Sequence, residues 1–60
     1  MLASVNKKEN QEQWEIELLG KELKVLNIVN LPNESNKTFV VLDSTTNKTY
    51  WIKENDITII

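Results

Sequence analysis

The last third of the chain contains two short blocks in which β-branched and aromatic residues dominate. Residues 38–43 read TFVVLD and residues 49–53 read TYWIK, and the polar stretch STTN follows the first block. Two such blocks joined by a short polar loop are typical of a β-hairpin. The pattern therefore predicts two antiparallel strands connected by a four-residue loop.

A hairpin in which Asp43 lies opposite Lys48 has two apolar faces, because side chains alternate along each strand. One face then carries Phe39, Val41, Tyr50 and Ile52. The other face carries Val40, Leu42, Thr49 and Trp51. We expect the first face to form the core, because it has more apolar members and because Tyr50 can keep its hydroxyl group in water at the rim.

The final residues predict one tight turn and one more strand. Residues 54–56 (Glu-Asn-Asp) are too few for an α-helix but enough for a single 3-10 turn. Asn55 or Asp56 can bond to its own backbone there. Residues 57–60 alternate and are almost all β-branched, so we expect a short closing strand, reached by turning the chain across the end of a barrel.

The segment 12–31 carries two conflicting periodicities. An alternation typical of a strand is formed by Trp14, Ile16 and Leu18. The spacing of one helical face is followed by Ile16, Leu19, Leu23 and Leu26. Gly20 would cost a helix about 1 kcal/mol relative to alanine, and residues 25–29 are apolar on both faces, like a buried strand. We therefore predict strands at 13–19 and 22–30 with a turn or bulge at Gly20, and a helix is the alternative.

Two further segments lack periodicity. Residues 31–37 are predicted to form a loop, because proline removes a backbone donor and asparagine and serine favour turns. Residues 1–11 are predicted to be a flexible tail that precedes a single domain at 12–60. The chain has no apolar signal region and no apolar run near the roughly 20 residues of a membrane span. We therefore expect a cytoplasmic protein that does not interact with membranes.

The order of these elements resembles that of the SH3-like barrel. The stretch FVVLDSTTNKTYWIKENDITII is similar to the closing half of small SH3-like barrel proteins of Gram-positive bacteria and their prophages. The stretch GKELKVLNIV is similar to the glycine-opened strand that precedes a loop in the same proteins. The resemblance implies an all-β, five-stranded SH3-like barrel and an origin in a phage or another mobile element. The polyproline-binding pattern is not met, because no ALYDY run is present.

The composition leaves few groups for catalysis. The chain has no cysteine and no histidine, so thiolate chemistry and the usual general base are missing. Glu54 and Asp56 are interpreted as turn residues, because calcium sites recruit six or more oxygen ligands. We predict that the protein is not an enzyme and has no catalytic residues, no cofactor and no metal.

Aromatic residues and lysines are the candidates for binding. Tryptophan and tyrosine dominate binding hot spots, although a small domain also needs large side chains in its core. We expect Trp14 in the core, and for Trp51 both a covered outer face and a partner contact stay open. The candidate binding residues are Val40, Leu42, Lys48, Tyr50, Trp51 and Lys53.

The function that these features favour is that of a small, non-catalytic protein-binding or adaptor domain. Its partner is an unknown protein or a second copy of the chain, because open edge strands and a thin core favour a dimer. One alternative is a barrel that binds nucleic acid by charge and stacking, through Lys24, Lys37, Lys48, Lys53 and Trp51. The absence of arginine and the net charge of −2 count against it. A third alternative is a structural subunit of a larger assembly.

Overall fold

A computed structural model describes all 60 residues as one antiparallel sheet with a single short helix. The strands are β1 (Leu2–Val5), β2 (Leu23–Val29), β3 (Thr38–Asp43), β4 (Lys48–Lys53) and β5 (Ile57–Ile59). Helix α1 (Gln13–Leu18) lies between β1 and β2, and a 3-10 turn (Glu54–Asp56) lies between β4 and β5. The strand order across the sheet is β4-β3-β2-β1-β5.

The β3–β4 hairpin has the predicted register. Asp43 lies opposite Lys48, and every pair along the two strands follows from that one. Asn47 has a φ of 59°, a left-handed conformation that asparagine tolerates better than most residues, and its N–H donates to the Asp43 carbonyl at 2.7 Å. The hairpin loop therefore closes through local chemistry, which explains why the sequence predicted it. The 3-10 turn and β5 are confirmed as well.

The core lies on one face of the sheet and beneath the helix. Its eight buried residues are Ala3, Val5, Leu18, Leu23, Phe39, Val41, Ile52 and Ile57. Phe39, Val41 and Ile52 are buried and Tyr50 packs against them, so this face of the hairpin forms the core as predicted. All five strands and the helix contribute at least one side chain, so the whole chain forms a single core.

The strand predicted at 13–19 is wrong, because Gln13–Leu18 forms helix α1. The Glu15 side chain accepts a hydrogen bond from the Glu12 N–H at 3.3 Å, which satisfies a free donor at the start of the helix. Gly20 follows the helix with a φ of 79°, the left-handed conformation that ends many helices. Leu18 is buried whereas Ile16 is 47% exposed, so neither periodicity in the sequence identified the buried face.

The indole ring of Trp14 joins the helix to the sheet. It stacks on the ring of Tyr50 with centroids 5.6 Å apart and planes 5° from parallel. Its N–H donates to the Glu12 carboxylate at 2.7 Å. Trp14 is half-buried and packs against the core without belonging to its eight buried residues, so the predicted core position is met only in part.

The flexible tail predicted at 1–11 is also wrong over its first half, because Leu2–Val5 forms β1 inside the sheet. This strand pairs with β2 on one side and with β5 on the other. Ala3 and Val5 are buried, and each is a small residue whose pairing depends on strands far along the chain. Residues 6–11 are held as well, because the Lys8 ammonium group lies 2.9 Å from the Asp56 carboxylate. The four residues of β1 are only modestly hydrophobic, so the sequence contains no local signal for a strand there.

The sheet is not closed into a barrel. Strands β4 and β5 form its two edges and do not pair with each other. A β-bulge between Val25 and Asn27 in β2 interrupts the regular pairing, and bulges of this kind bend a strand and increase its twist. The structure thus establishes a predominantly β fold with five antiparallel strands, and the closed barrel expected from the resemblance is not confirmed.

Candidate functional site

The outer face of the sheet, opposite the core, carries a group of apolar side chains. We define the Trp51 face as Leu26, Val40, Leu42 and Trp51. Trp51 is 61% exposed and Leu26 is 49% exposed, whereas Val40 and Leu42 are half-buried between their neighbours. Tryptophan is usually well buried in small domains, so this exposure is the most informative feature of the surface.

The pairing of three strands brings these residues together. Val40 lies directly opposite Trp51, and residues directly opposite in an antiparallel pair share a face. Asn27 of β2 lies opposite Val40, and the bulge leaves Leu26 as the extra residue beside Asn27. Trp51, Val40 and Asn27 therefore form one row across three adjacent strands, with Leu26 next to Asn27, and Leu42 lies in the row beside it.

The structure divides the predicted binding residues between the two faces of the sheet. Trp51, Val40 and Leu42 lie together on the outer face, and the alternation along β4 places Lys53 there too. Tyr50 and Lys48 lie on the opposite face, where Tyr50 contacts the core and Trp14. Leu26 could not be predicted as part of this face, because the bulge that places it beside Asn27 and Val40 has no signature in the sequence.

The lysines do not converge on the Trp51 face. Lys53 forms an ion pair with Glu34 of the long loop. Lys24 lies opposite Leu42 and is the second lysine of the outer face. Lys48 lies on the opposite face of the sheet, and Lys37 lies in the loop before β3. Phosphate binding requires several convergent charges, and this face has two lysines, of which one is paired.

A polar groove of about 450 Å³ lies on the side of the sheet that the helix covers. Its lining residues include Glu17, Leu18, Lys21, Asp43, Lys48 and Tyr50. Lys21 and Asp43 form an ion pair across it, with the ammonium nitrogen 2.9 Å from a carboxylate oxygen. The two residues are 22 positions apart in the chain, so sequence analysis had no signal for their pairing. The pair joins the turn after the helix to the hairpin.

The Lys21 ammonium group holds the pKa of the Asp43 carboxyl below its ordinary value, mainly through the hydrogen bond that it donates. Burial of the carboxylate opposes this change, and a hydrogen bond from the Thr45 N–H at 3.0 Å adds to it. Asp43 is 3% exposed. A buried carboxylate with these donors is satisfied by the protein itself, so we interpret it as a structural residue.

Replacing Asp43 with asparagine is expected to destabilise the fold at neutral pH and to matter less in acid. Because the folded-state pKa is lowered, the stabilisation is present above the pKa of about 3.9 of an unfolded aspartate and is lost as the pH falls through the folded-state value. Urea unfolding at neutral pH and at about pH 2 measures the difference. Glu22→Gln is the control, because Glu22 is exposed and has no ion pair. An equal loss from D43N at both pH values would contradict the assignment.

Comparisons with known proteins give no relative for this arrangement: no family model, no curated protein and no solved structure matches the chain. The only α-helix has six residues, far fewer than the roughly 20 apolar residues of a membrane-spanning helix. No group of three or more acidic side chains is placed to hold a metal ion. The Trp51 face is therefore the feature of the molecule that bears most directly on its function.

Proposed function

We propose that this chain is a small, non-catalytic protein-binding module and that the Trp51 face is its contact surface. The observation that carries the proposal is the 61% exposure of Trp51 beside an apolar row on adjacent strands. Exposed tryptophans surrounded by apolar neighbours are the residues that most often dominate protein–protein binding energy. Apolar surface of this kind is favourable to bury against a partner.

The rigidity of the surface supports this function. Val40 and Leu42 belong to β3, which is paired along its whole length with β4 and also with β2. A partner that binds there meets a pre-formed surface, so little conformational entropy is lost on binding. The side chain of Trp51 itself has only two rotatable bonds to order, which keeps its own cost low.

The proposal includes the SH3-like plan that the sequence resemblance implies. It is supported by the sequential strands, the hairpin, the single 3-10 turn and the final short strand. It also includes a cytoplasmic setting and an origin in a prophage or another mobile element, both of which rest on the sequence analysis alone. The proposal predicts that the protein binds a partner and catalyses no reaction.

Trp51→Ala is expected to weaken partner binding by about 30-fold or more, which corresponds to a hot-spot contribution of about 2 kcal/mol. The fold should persist, because Trp51 lies outside the core. The measurement is affinity capture from extracts of the source cell with the immobilised chain, quantified by mass spectrometry. Ile16→Ala serves as the matched control, since Ile16 is a similarly exposed apolar residue on the helix.

The outcome that would overturn this function is clear. If Trp51→Ala and the unchanged chain capture the same proteins in the same amounts, the Trp51 face is not the contact surface. If Trp51→Ala loses the dispersed NMR spectrum of a folded protein, Trp51 is needed for folding and its exposure does not indicate binding. Proteins that are lost with Trp51→Ala and retained with Ile16→Ala support the proposal.

A further inference from the structure

Strand β4 is an open edge of the sheet. It pairs with β3 on one side and has no strand on the other side. An edge strand presents unpaired N–H and C=O groups that a second strand can bind. Its six residues form the longer of the two edges, because β5 has only three. The edge that borders the Trp51 face is therefore also the better template for strand addition.

The backbone hydrogen bonds show which residues of β4 direct their polar groups outward. The Glu54 N–H donates to the Lys37 carbonyl at 2.9 Å, one step beyond the last pair of the β3–β4 ladder. Pairs that exchange hydrogen bonds alternate with pairs that do not. By this alternation Tyr50 and Ile52 bond to β3. The residues that point their N–H and C=O groups to the free edge are Thr49, Trp51 and Lys53.

Symmetry restricts how two β4 edges can join. Two antiparallel edges of identical sheets are related by a two-fold axis perpendicular to the sheet, which keeps the outer faces on the same side. One residue of β4 must then lie opposite its own copy. If Trp51 is that residue, Thr49 lies opposite Lys53 of the second copy and Tyr50 lies opposite Ile52. This register uses all three outward-pointing residues.

The same register matches the charges at the ends of the strand. Lys48 then lies opposite Glu54 of the second copy, the first residue of the 3-10 turn that follows β4, and the symmetry makes this pair twice. No like charges face each other, although edge strands often use lysines to prevent such pairing. A register centred on Tyr50 would place Lys48 against Ile52, and one centred on Ile52 would place Trp51 against Lys53. The register centred on Trp51 gives the best match of apolar and of charged side chains.

We propose that a second copy of this chain binds edge to edge through β4, with the two Trp51 side chains adjacent at the two-fold axis. The inference rests on the proposed function, because it takes the Trp51 face as the contact surface and names its partner. The two outer faces join, so that Val40 and Trp51 of one copy continue into Trp51 and Val40 of the other. The continuous sheet of the dimer then has ten strands, and β5 of each copy forms one of its two edges.

The first test is the mass of the full chain in solution, measured by sedimentation equilibrium from about 1 µM to about 1 mM, a range that covers weak association. We expect a monomer–dimer equilibrium. Thr49→Pro removes one outward N–H and breaks no bond to β3, so it should shift the dimer toward monomer at least tenfold. Trp51→Ala should do the same. Ile59→Lys alters an exposed residue of the β5 edge and should leave the dimer unchanged.

The charge pair provides a second test that does not depend on proline. Lys48→Glu places like charges opposite each other twice and should weaken the dimer about tenfold. Glu54→Lys should weaken it as well, and it also removes the hydrogen bond that the Glu54 side chain accepts from the Lys37 N–H. The double variant K48E/E54K should recover most of the affinity lost by K48E. Recovery of affinity in the double variant is expected only if Lys48 of one copy contacts Glu54 of the other.

The outcomes separate this inference from the function beneath it. If the chain stays monomeric at about 1 mM and Trp51→Ala still fails to capture proteins that the unchanged chain captures, the proposed dimer is contradicted. The proposed binding function then stands. A dimer that Thr49→Pro and the charge reversals leave intact overturns the β4 register. A ring or filament shows pairing of β4 with β5 and overturns the two-fold axis. If Thr49→Pro weakens the dimer and Trp51→Ala does not, the edge-to-edge pairing stands, but the contact between the two Trp51 side chains is contradicted.

Discussion

Removal of residues 1–5 is expected to abolish folding. Strand β1 contributes Ala3 and Val5 to the core and lies between β2 and β5. Without it β5 has no pairing partner, because β1 is the only strand beside it. A 60-residue domain has a total stability of about 3–9 kcal/mol, and the loss of a central strand removes more than that.

The truncated chain, with a new initiating methionine, should show the narrow amide dispersion of an unfolded protein in a heteronuclear NMR spectrum. The control changes Lys7 and Glu9 to serine, because both are exposed residues of the predicted tail at 1–11 but lie outside β1. That control should stay folded. A truncated chain with a dispersed spectrum and an unchanged urea midpoint would show that residues 1–5 are a dispensable tail, as the sequence alone predicted.

Leu18→Ala is expected to remove a large part of the stability of the fold. The Leu18 side chain is 1% exposed and lies between the helix and the sheet, so its truncation leaves a cavity in the only core. Large-to-small changes of this kind cost about 2–5 kcal/mol. Against a total of about 3–9 kcal/mol, the variant should be partly unfolded in water at room temperature.

The matched control is Ile16→Ala, two positions earlier in the same helix. Ile16 is 47% exposed, so this change should alter the free energy of unfolding by less than about 0.5 kcal/mol. The contrast distinguishes the two local structures, because a strand would bury both side chains on one face. Urea unfolding followed by tryptophan fluorescence measures both values. Equal losses from the two variants would contradict the helix.

The hairpin could be predicted because everything that determines it is close in sequence. The loop residues, the alternation and the charges of Asp43 and Lys48 all lie within sixteen positions of one another, and they agree on one register. That register placed Trp51 on the outer face of the hairpin, although whether this face is covered stayed open. When the local conformational preferences of neighbouring residues agree, the structure of a segment can be predicted from its sequence.

The first third could not be predicted because its structure depends on distant partners. The strand that contains Ala3 exists because residues 57–59 and 23–24 flank it. The helix has only six residues, which is too short to be stable without packing, and its buried face is set by Leu18 and Trp14 against the sheet. Gly20 was interpreted as an interruption of a helix, whereas its left-handed backbone ends a helix that is already complete.

The placement of Leu26 shows a similar limit for the candidate site. Its position beside Asn27 and Val40 depends on a bulge, and a bulge moves one residue between faces without changing the composition of the strand. All three strands that build the Trp51 face were predicted from the sequence. The contribution of β2 to this surface was not, because it requires the observed pairing.

The pairing of β1 with β5 has a consequence for the order of folding. Ser4 lies opposite Thr58, so the sheet joins two strands that are separated along the chain by all the other elements. Until these strands pair, β1 lacks one of its neighbours and the core lacks Ile57. Contacts of such long sequence separation form late, because a large loop must close first. The hairpin can therefore form before the sheet is complete, and its apolar core face is exposed to chaperones and proteases until β1 and β5 pair.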